Sequence, residues 1–232
     1  LDKITGAGGN TAIGYQAGTN LTTGFSNIYI GYNAGVETVT GSRNVAIGDG
    51  AMDDCGGTLD PALVCNDNTF IGHGSGGGVW LTAASLKNTA VGAYSMDDNM
   101  NGALKNTAVG YQAGTAIVGG DANALFGYQA GVAVVGGGNN TLVGDRAGDS
   151  ITSGDGNTAI GTTSDCSATH GNQIAIGNGA VANGDNIGIW GNASIGTSNI
   201  TVDWTVTSDR RIKKDIEDSD IGFSFINALK PR

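Results

Sequence analysis

One short phrase recurs along this chain, and that recurrence limits the fold more than any other feature. Its clearest form is Asn10-Thr11-Ala12-Ile13-Gly14-Tyr15-Gln16-Ala17-Gly18, and it returns as Asn106-Thr107-Ala108-Val109-Gly110-Tyr111-Gln112-Ala113-Gly114. The glycine that closes the Asn-x-x-x-Gly unit marks each copy: Gly14, Gly31, Gly48, Gly72, Gly92, Gly110, Gly127, Gly144, Gly161 and Gly177. The intervals are 17, 17, 24, 20, 18, 17, 17, 17 and 16 residues, so seventeen is the basic unit and the longer intervals carry insertions. A fainter copy, Asn192-Ala193-Ser194-Ile195-Gly196, closes the array. A fixed period in this range belongs to stacked-coil architectures, in which each repeat buries its apolar face only against its neighbours.

Four residues before the marker stands Asn in nine of the ten copies, from Asn10 to Asn157, with Gln173 in the tenth. Identical amides stacked in successive coils bond to one another and to turn backbone. The residue before the marker is Ile or Val except at Phe126, and the residue three after it is always Ala or Ser, which predicts close backbone approach. A second glycine often stands seven residues before the marker, at Gly24, Gly41, Gly120, Gly137 and Gly154, where a tight turn with positive φ is expected. Each coil then reads as strand, turn, strand, turn, with strands of about four to six residues and no helix.

Adjacent strand residues point to opposite faces. Pairs such as Ala12-Ile13, Tyr29-Ile30, Leu125-Phe126 and Leu142-Val143 are apolar at both positions. One face lines the coil interior. The other needs a different partner, and a further copy of the same chain is the economical one; threefold association is the expectation. About ten coils at ~4.8 Å each predict a rod roughly 50 Å long.

Composition agrees. The 232 residues include 42 Gly and 2 Pro without a Gly-X-Y period, and β-branched residues run throughout. The net charge of −10, from 11 basic and 21 acidic residues, argues against a nucleic-acid partner. No apolar run approaches the ~20 residues that span a bilayer as a helix, so membrane insertion is not expected. The chain opens at Leu1 inside the array, which suggests a piece of a longer protein. Cys55 and Cys65 lie in the first large insertion and are either a loop-closing disulfide or two free thiols; Cys166 is odd and expected to be free.

Residues 1–196 are thus expected to form an all-β parallel solenoid of about ten 17-residue coils. Residues 197–207 alternate as a connecting strand, with Ile200, Val202, Trp204 and Val206 on one side. Beyond them the composition turns charged and glycine-poor, and Ser219 is placed to cap a short helix carrying Ile221, Phe225, Ile226 and Leu229 before Pro231.

The Asn-x-Ala-Ile-Gly-x-x-Ala phrase, over about 190 residues, resembles the head repeats of trimeric autotransporter adhesins, the YadA-like left-handed parallel β-roll, whose repeats are typically shorter. The stretch Ser208-Asp209-Arg210-Arg211-Ile212-Lys213-Lys214-Asp215-Ile216, with Gly222-Phe223 and Ile226-Asn227-Ala228-Leu229-Lys230-Pro231, resembles the opening of the peptidase S74 intramolecular chaperone domain of phage endosialidases and tail fibres. The second resemblance implies a truncated chaperone domain over 208–232. It implies a single self-cleavage at Thr207-Ser208, with Ser208 as nucleophile and Lys213 as its base, and no other enzymatic activity. Together the two resemblances imply a homotrimeric phage tail fibre or similar appendage, on a virion or a cell surface, attaching to a host glycan or protein. Insertions 49–67, 73–87 and 93–105 are the candidate contact loops. A bacterial adhesin head is the alternative, and an ice-binding or purely structural filament a third class.

Other signals read as structural. Gly136-Gly137-Gly138-Asn139-Asn140-Thr141-Leu142 is similar to calcium-binding nonapeptides but lacks their Asp, so turn chemistry is the expectation. Asp53, Asp54, Asp60 and Asp67 read as solvated loop acids, and the only histidines, His73 and His170, as structural or solvated. No metal or cofactor is expected. The column of Thr11, Thr69, Thr89, Thr107, Thr141 and Thr158 reads as strand propensity on an outward face rather than an ice-binding ladder. Tyr15, Tyr32, Tyr111 and Tyr128 read as a stack.

Overall fold

The computed structural model describes residues 6, 8–55, 64–80 and 82–195. The chain divides at Ile195–Gly196 into two units, and the second, Gly196–Arg232, lies wholly outside the described residues. The expected connecting strand, the short helix, Thr207, Ser208 and Lys213 all fall there.

The first unit is a parallel β-solenoid. Its strands are β1 (Thr11–Ile13), β2 (Ile28–Ile30), β3 (Val45–Ile47), β4 (Thr69–Ile71), β5 (Thr89–Val91), β6 (Thr107–Val109) and β7 (Ala124–Phe126). They continue with β8 (Thr141–Val143), β9 (Thr158–Ile160), β10 (Asp165–Cys166), β11 (Ile174–Ile176), β12 (Val181–Ala182) and β13 (Gly188–Trp190). One sheet of eleven strands runs β1 through β9, then β11 and β13, each paired in parallel with the next; β10 and β12 form a separate two-stranded sheet. Register follows the sequence phase without slip: Ala12 faces Tyr29, Tyr29 faces Ala46, and Ala108 faces Leu125.

The strands of the long sheet are three residues long and β10 and β12 two, not four to six, and most coils carry one strand rather than two. The second flank is bent instead. In eight coils the residue four after the marker has positive φ, as at Gly18, Gly35, Met52 and Gly131. The flank straightens into β10 and β12 only where that position is Asp165 or Val181. The closing copy also sits elsewhere than the sequence suggests. Ile176 pairs with Trp190, so Gly191 is the eleventh marker, and Asn192 instead donates its side-chain amide to the Asn178 carbonyl at 2.7 Å.

Two interior columns hold the coils together. In the amide column, the Asn106 backbone N–H and side-chain NH₂ both donate to Asn88 Oδ1, at 3.0 and 3.2 Å, and the NH₂ also donates to the Gly120 carbonyl at 2.7 Å. Asn123 does the same one coil on, to Asn106 Oδ1 at 2.9 and 3.0 Å and to Gly137 O at 2.9 Å. These amides are buried, so the bonds also satisfy groups that would otherwise be costly to desolvate. In the glycine column each marker lies against the next: a Cβ on Gly110 would stand 2.2 Å from the Gly127 carbonyl oxygen.

The glycines seven before the marker serve close approach rather than positive φ. A Cβ on Gly137 would lie 2.5 Å from Gly154 O, yet its φ is not positive. The positive φ sits two residues later, at Ser26, Arg43, Lys105, Ala122 and Asn139 among others. The core between the flanks is thin. The middle strand residues, such as Ala46, Ala108, Leu125 and Leu142, and the flank residues Leu21, Ile117, Val134 and Ile151 are buried. Insertion brings in larger side chains: Met52, Phe70, Trp80, Met96 and Met100 widen the core over the third to fifth coils.

Candidate functional site

Two surfaces stand out once side chains are assigned to faces. The first is the outward side of the long sheet. The middle residue of each strand points in, so its neighbours point out, and Ile or Val before the marker lies outside rather than in the core. Ile13 is 60% exposed and Phe126 41% exposed, while Ala108 and Leu125 beside such positions are fully buried. Next to this column runs the aromatic one. Tyr15 stacks on Tyr32 with ring centres 5.3 Å apart, and Tyr111 stacks on Tyr128 at 5.6 Å. Tyr94 meets Tyr111 edge-on at 6.0 Å, and His73 packs on Tyr94 at 5.0 Å. The threonines expected outside are there: Thr11 and Thr141 are exposed, and Thr69, Thr89, Thr107 and Thr158 are half-buried.

The second surface is the flank that carries the insertions. A disulfide joins Cys55 to Cys65, and both residues are buried. Trp80 turns inward, donates its indole N–H to the Gly76 carbonyl at 3.1 Å and meets Phe70 edge-on at 5.8 Å. The insertions of adjacent coils are laced to each other: Asn99 Oδ1 accepts from Val79 N–H at 3.0 Å, and Asn101 Oδ1 from Ala83 N–H at 2.9 Å. Much of the candidate contact loops is therefore framework. Among the described residues they expose Asp49, Val64, His73, Thr82, Ala83, Lys87, Asp98, Asn99 and Lys105.

The acids of this flank differ from one another. Burial pushes the Asp53 carboxyl up to about 6, with help from the neighbouring charges of Asp54, Asp97 and Asp49. Asp97 is raised mainly by burial, against a hydrogen bond from the Gly77 backbone. Asp67 instead takes a two-pronged hydrogen bond from the Arg43 guanidinium, with Nη2 to Oδ2 at 2.9 Å, which holds its carboxyl below the usual range. Asp60 lies outside the described residues. Burial pushes the Cys166 thiol up to about 11, with Asp165 adding to the shift, so this free cysteine is a protonated core residue.

His170 Nδ1 lies 3.0 Å from Ser167 Oγ, and Ser167 also bonds Gln173, the last member of the amide column. Among the described residues no cluster of three or more His, Cys, Asp or Glu side chains could hold a metal ion, and no helix is long and apolar enough to cross a membrane. The calcium-like stretch has structural duties throughout. Gly137 gives close approach, Asn139 carries a φ of 58°, Asn140 joins the amide column and Leu142 enters the core.

One set of contacts escapes a reading of the repeat alone. A short polar side chain two residues before the amide accepts a backbone N–H from the previous coil. Asp121 Oδ1 accepts from Leu104 at 2.7 Å, Asp155 Oδ1 from Gly138 at 2.6 Å, and Asn66 Oδ1 from Ser42 at 2.8 Å. The signal in the sequence is Asp, Asn or Ser followed two residues on by Asn. Compared with family models, curated proteins and solved structures, the chain matches none of them.

Proposed function

We propose that this chain is the shaft of a homotrimeric attachment appendage, a phage tail fibre or a close counterpart, exposed on a virion or cell surface. The coil is left-handed in this reading. The observation that carries it is the unbroken column of inter-coil amide bonds from Asn10 to Gln173. Such a column propagates one coil onto the next and gives length without an enclosed chamber. The insertions fall on three successive coils and are braced by a disulfide and by Asn99 and Asn101, which supports a rigid contact platform for a host glycan or protein.

The charged segment at Ser208 fits a chaperone that aligns the chains and then leaves. Near-identical coils slip in register easily, so three chains need alignment before they zip. In this reading Ser208 Oγ attacks the Thr207 carbonyl carbon while Lys213 takes the hydroxyl proton and passes it to the Ser208 nitrogen as the Thr207–Ser208 C–N bond breaks; water then hydrolyses the resulting ester, leaving a carboxylate on Thr207 and freeing the chain that begins at Ser208. A glycan array probed with the purified assembly tests attachment, and binding that survives removal of the exposed insertion residues refutes the platform. Mass spectrometry of the longer gene product tests the cut: Ser208→Ala should leave it whole, and a product still ending at Thr207 refutes the assignment. The reading as an adhesin head rests on the Asn-x-Ala-Ile-Gly phrase and calls for a membrane-anchor β-barrel downstream in the same gene.

A further inference from the structure

We propose that the outward face of the long sheet is the surface on which copies of this chain dock, side by side and parallel, each coil level with the same coil of its neighbour. The inference rests on the oligomeric reading above and names the surface that serves it.

Each of the eleven strands presents two outward positions, its first and third residues. Across the array these are Thr, Ile, Val, Ala, Gly, Phe or Trp, and no charged residue occupies either position in any coil. None of these positions is buried within the chain. A chain with a net charge of −10 would ordinarily scatter charge over a surface this large. Most of its large exposed apolar side chains gather here instead, with Ile13 at 60%, Phe126 at 41% and Trp190 at 55%, and the stacked Tyr15 and Tyr32 along one border. The opposite flank shows isolated examples, such as Val135 and Val181.

The dimensions suit an interface. Ten inter-strand steps of about 4.8 Å and a width of roughly 10–15 Å, tyrosines included, give about 500–700 Å² per chain. Around a threefold axis each face is shared between two neighbours, and the three faces bury roughly 1,500–2,100 Å² in total, in the range of stable specific interfaces. A single face matches or exceeds the apolar patches that monomers ordinarily expose. The occupant follows from the face itself. A stripe with one residue pattern per coil is best matched by another stripe of the same period, and a threefold axis along the rod keeps all chains pointing the same way.

The test is disulfide trapping in the full chain. Ile13→Cys and Ile160→Cys are made singly at opposite ends of the face, with Val135→Cys on the other flank as control, and circular dichroism checks that each folds. Mild oxidation and non-reducing electrophoresis then read covalent dimer. Each face variant alone should crosslink at least tenfold more than Val135→Cys. Crosslinking only when Ile13→Cys and Ile160→Cys are mixed means antiparallel docking and overturns the proposal. No crosslinking of either, in a parent chain that sediments as a trimer, overturns the face while leaving the trimer. A parent chain that sediments at the 23.1 kDa of one copy overturns both.

Discussion

Replacing Gly110 by Ala isolates the close approach of coils. Gly110 has a φ of 140°, a region that non-glycine residues rarely enter. The added Cβ would lie 2.2 Å from Gly127 O and 2.6 Å from Gly127 C, against ordinary contacts of 3.4–4 Å. Relief requires the two coils to part locally by about an ångström, which stretches the bonds from Gly127 N–H to Val109 O at 2.9 Å and from Gln129 N–H to Tyr111 O at 2.9 Å beyond useful range. Two weakened bonds cost about 1–3 kcal/mol together and the strained backbone about 1–3 kcal/mol. The expected loss is therefore about 2–6 kcal/mol. Gly136→Ala is the matched control, because its Cβ would meet nothing within 4 Å and its φ is not positive. It should shift stability by no more than ~0.5 kcal/mol. Urea unfolding followed by circular dichroism reads both. If Gly110→Ala unfolds with the same midpoint as Gly136→Ala, the marker glycines are not kept for close approach.

Further outcomes follow from the same contacts. Asn106→Asp places a carboxylate where an amide donates to Asn88 Oδ1 and Gly120 O, so it should cost about 3 kcal/mol or more at neutral pH and recover partly at pH 4, when the protonated acid can donate; pH-resolved urea midpoints decide it. Reducing the Cys55–Cys65 bridge, with a sequence separation of 10, should cost about 2–3 kcal/mol, measured as the shift in urea midpoint with and without dithiothreitol, and Cys55→Ser should abolish that shift. The Asp53 carboxyl is raised from 3.8 to about 6 in the fold, so the unfolded chain releases this proton first and stability falls as pH rises between those values. Half-exposure reduces the effect to about 1 kcal/mol, and Asp53→Asn should flatten the midpoint-versus-pH curve by that amount between pH 4 and 7.

The seventeen-residue spacing made the coil, the parallel register and the amide column legible, because each depends on one residue type held at one phase. What the sequence hides is where the backbone turns left-handed. Ser26, Arg43, Lys105 and Ala122 carry positive φ at a position that Gly156 and Asn139 fill in other coils, so no one residue type marks it along the array. The conspicuous Gly24 and Gly137 columns suggested turns and proved to be points of close approach instead. The second strand failed for a related reason. Bonds between successive flanks, such as Gly18 N–H to Ala34 O at 3.0 Å, form without an extended ladder. The displaced last coil shows pattern matching losing to packing: Ile187-Gly188-Ile189-Trp190 lacks the asparagine but continues the ladder, whereas Asn192 has it and does not. For the candidate surfaces, the doubly apolar strand revealed an outward face but not which residue of each pair formed it. The insertions looked like loops because their anchors, Trp80 and Met100, are single residues without a period.

The most direct measurement is sedimentation equilibrium of the unaltered 232-residue chain under native, non-reducing conditions. A threefold shaft sediments as one species at about three times the 23.1 kDa of a single copy, unchanged on dilution across the micromolar range. A single species at 23.1 kDa would contradict a shaft built from chains docked along the sheet face.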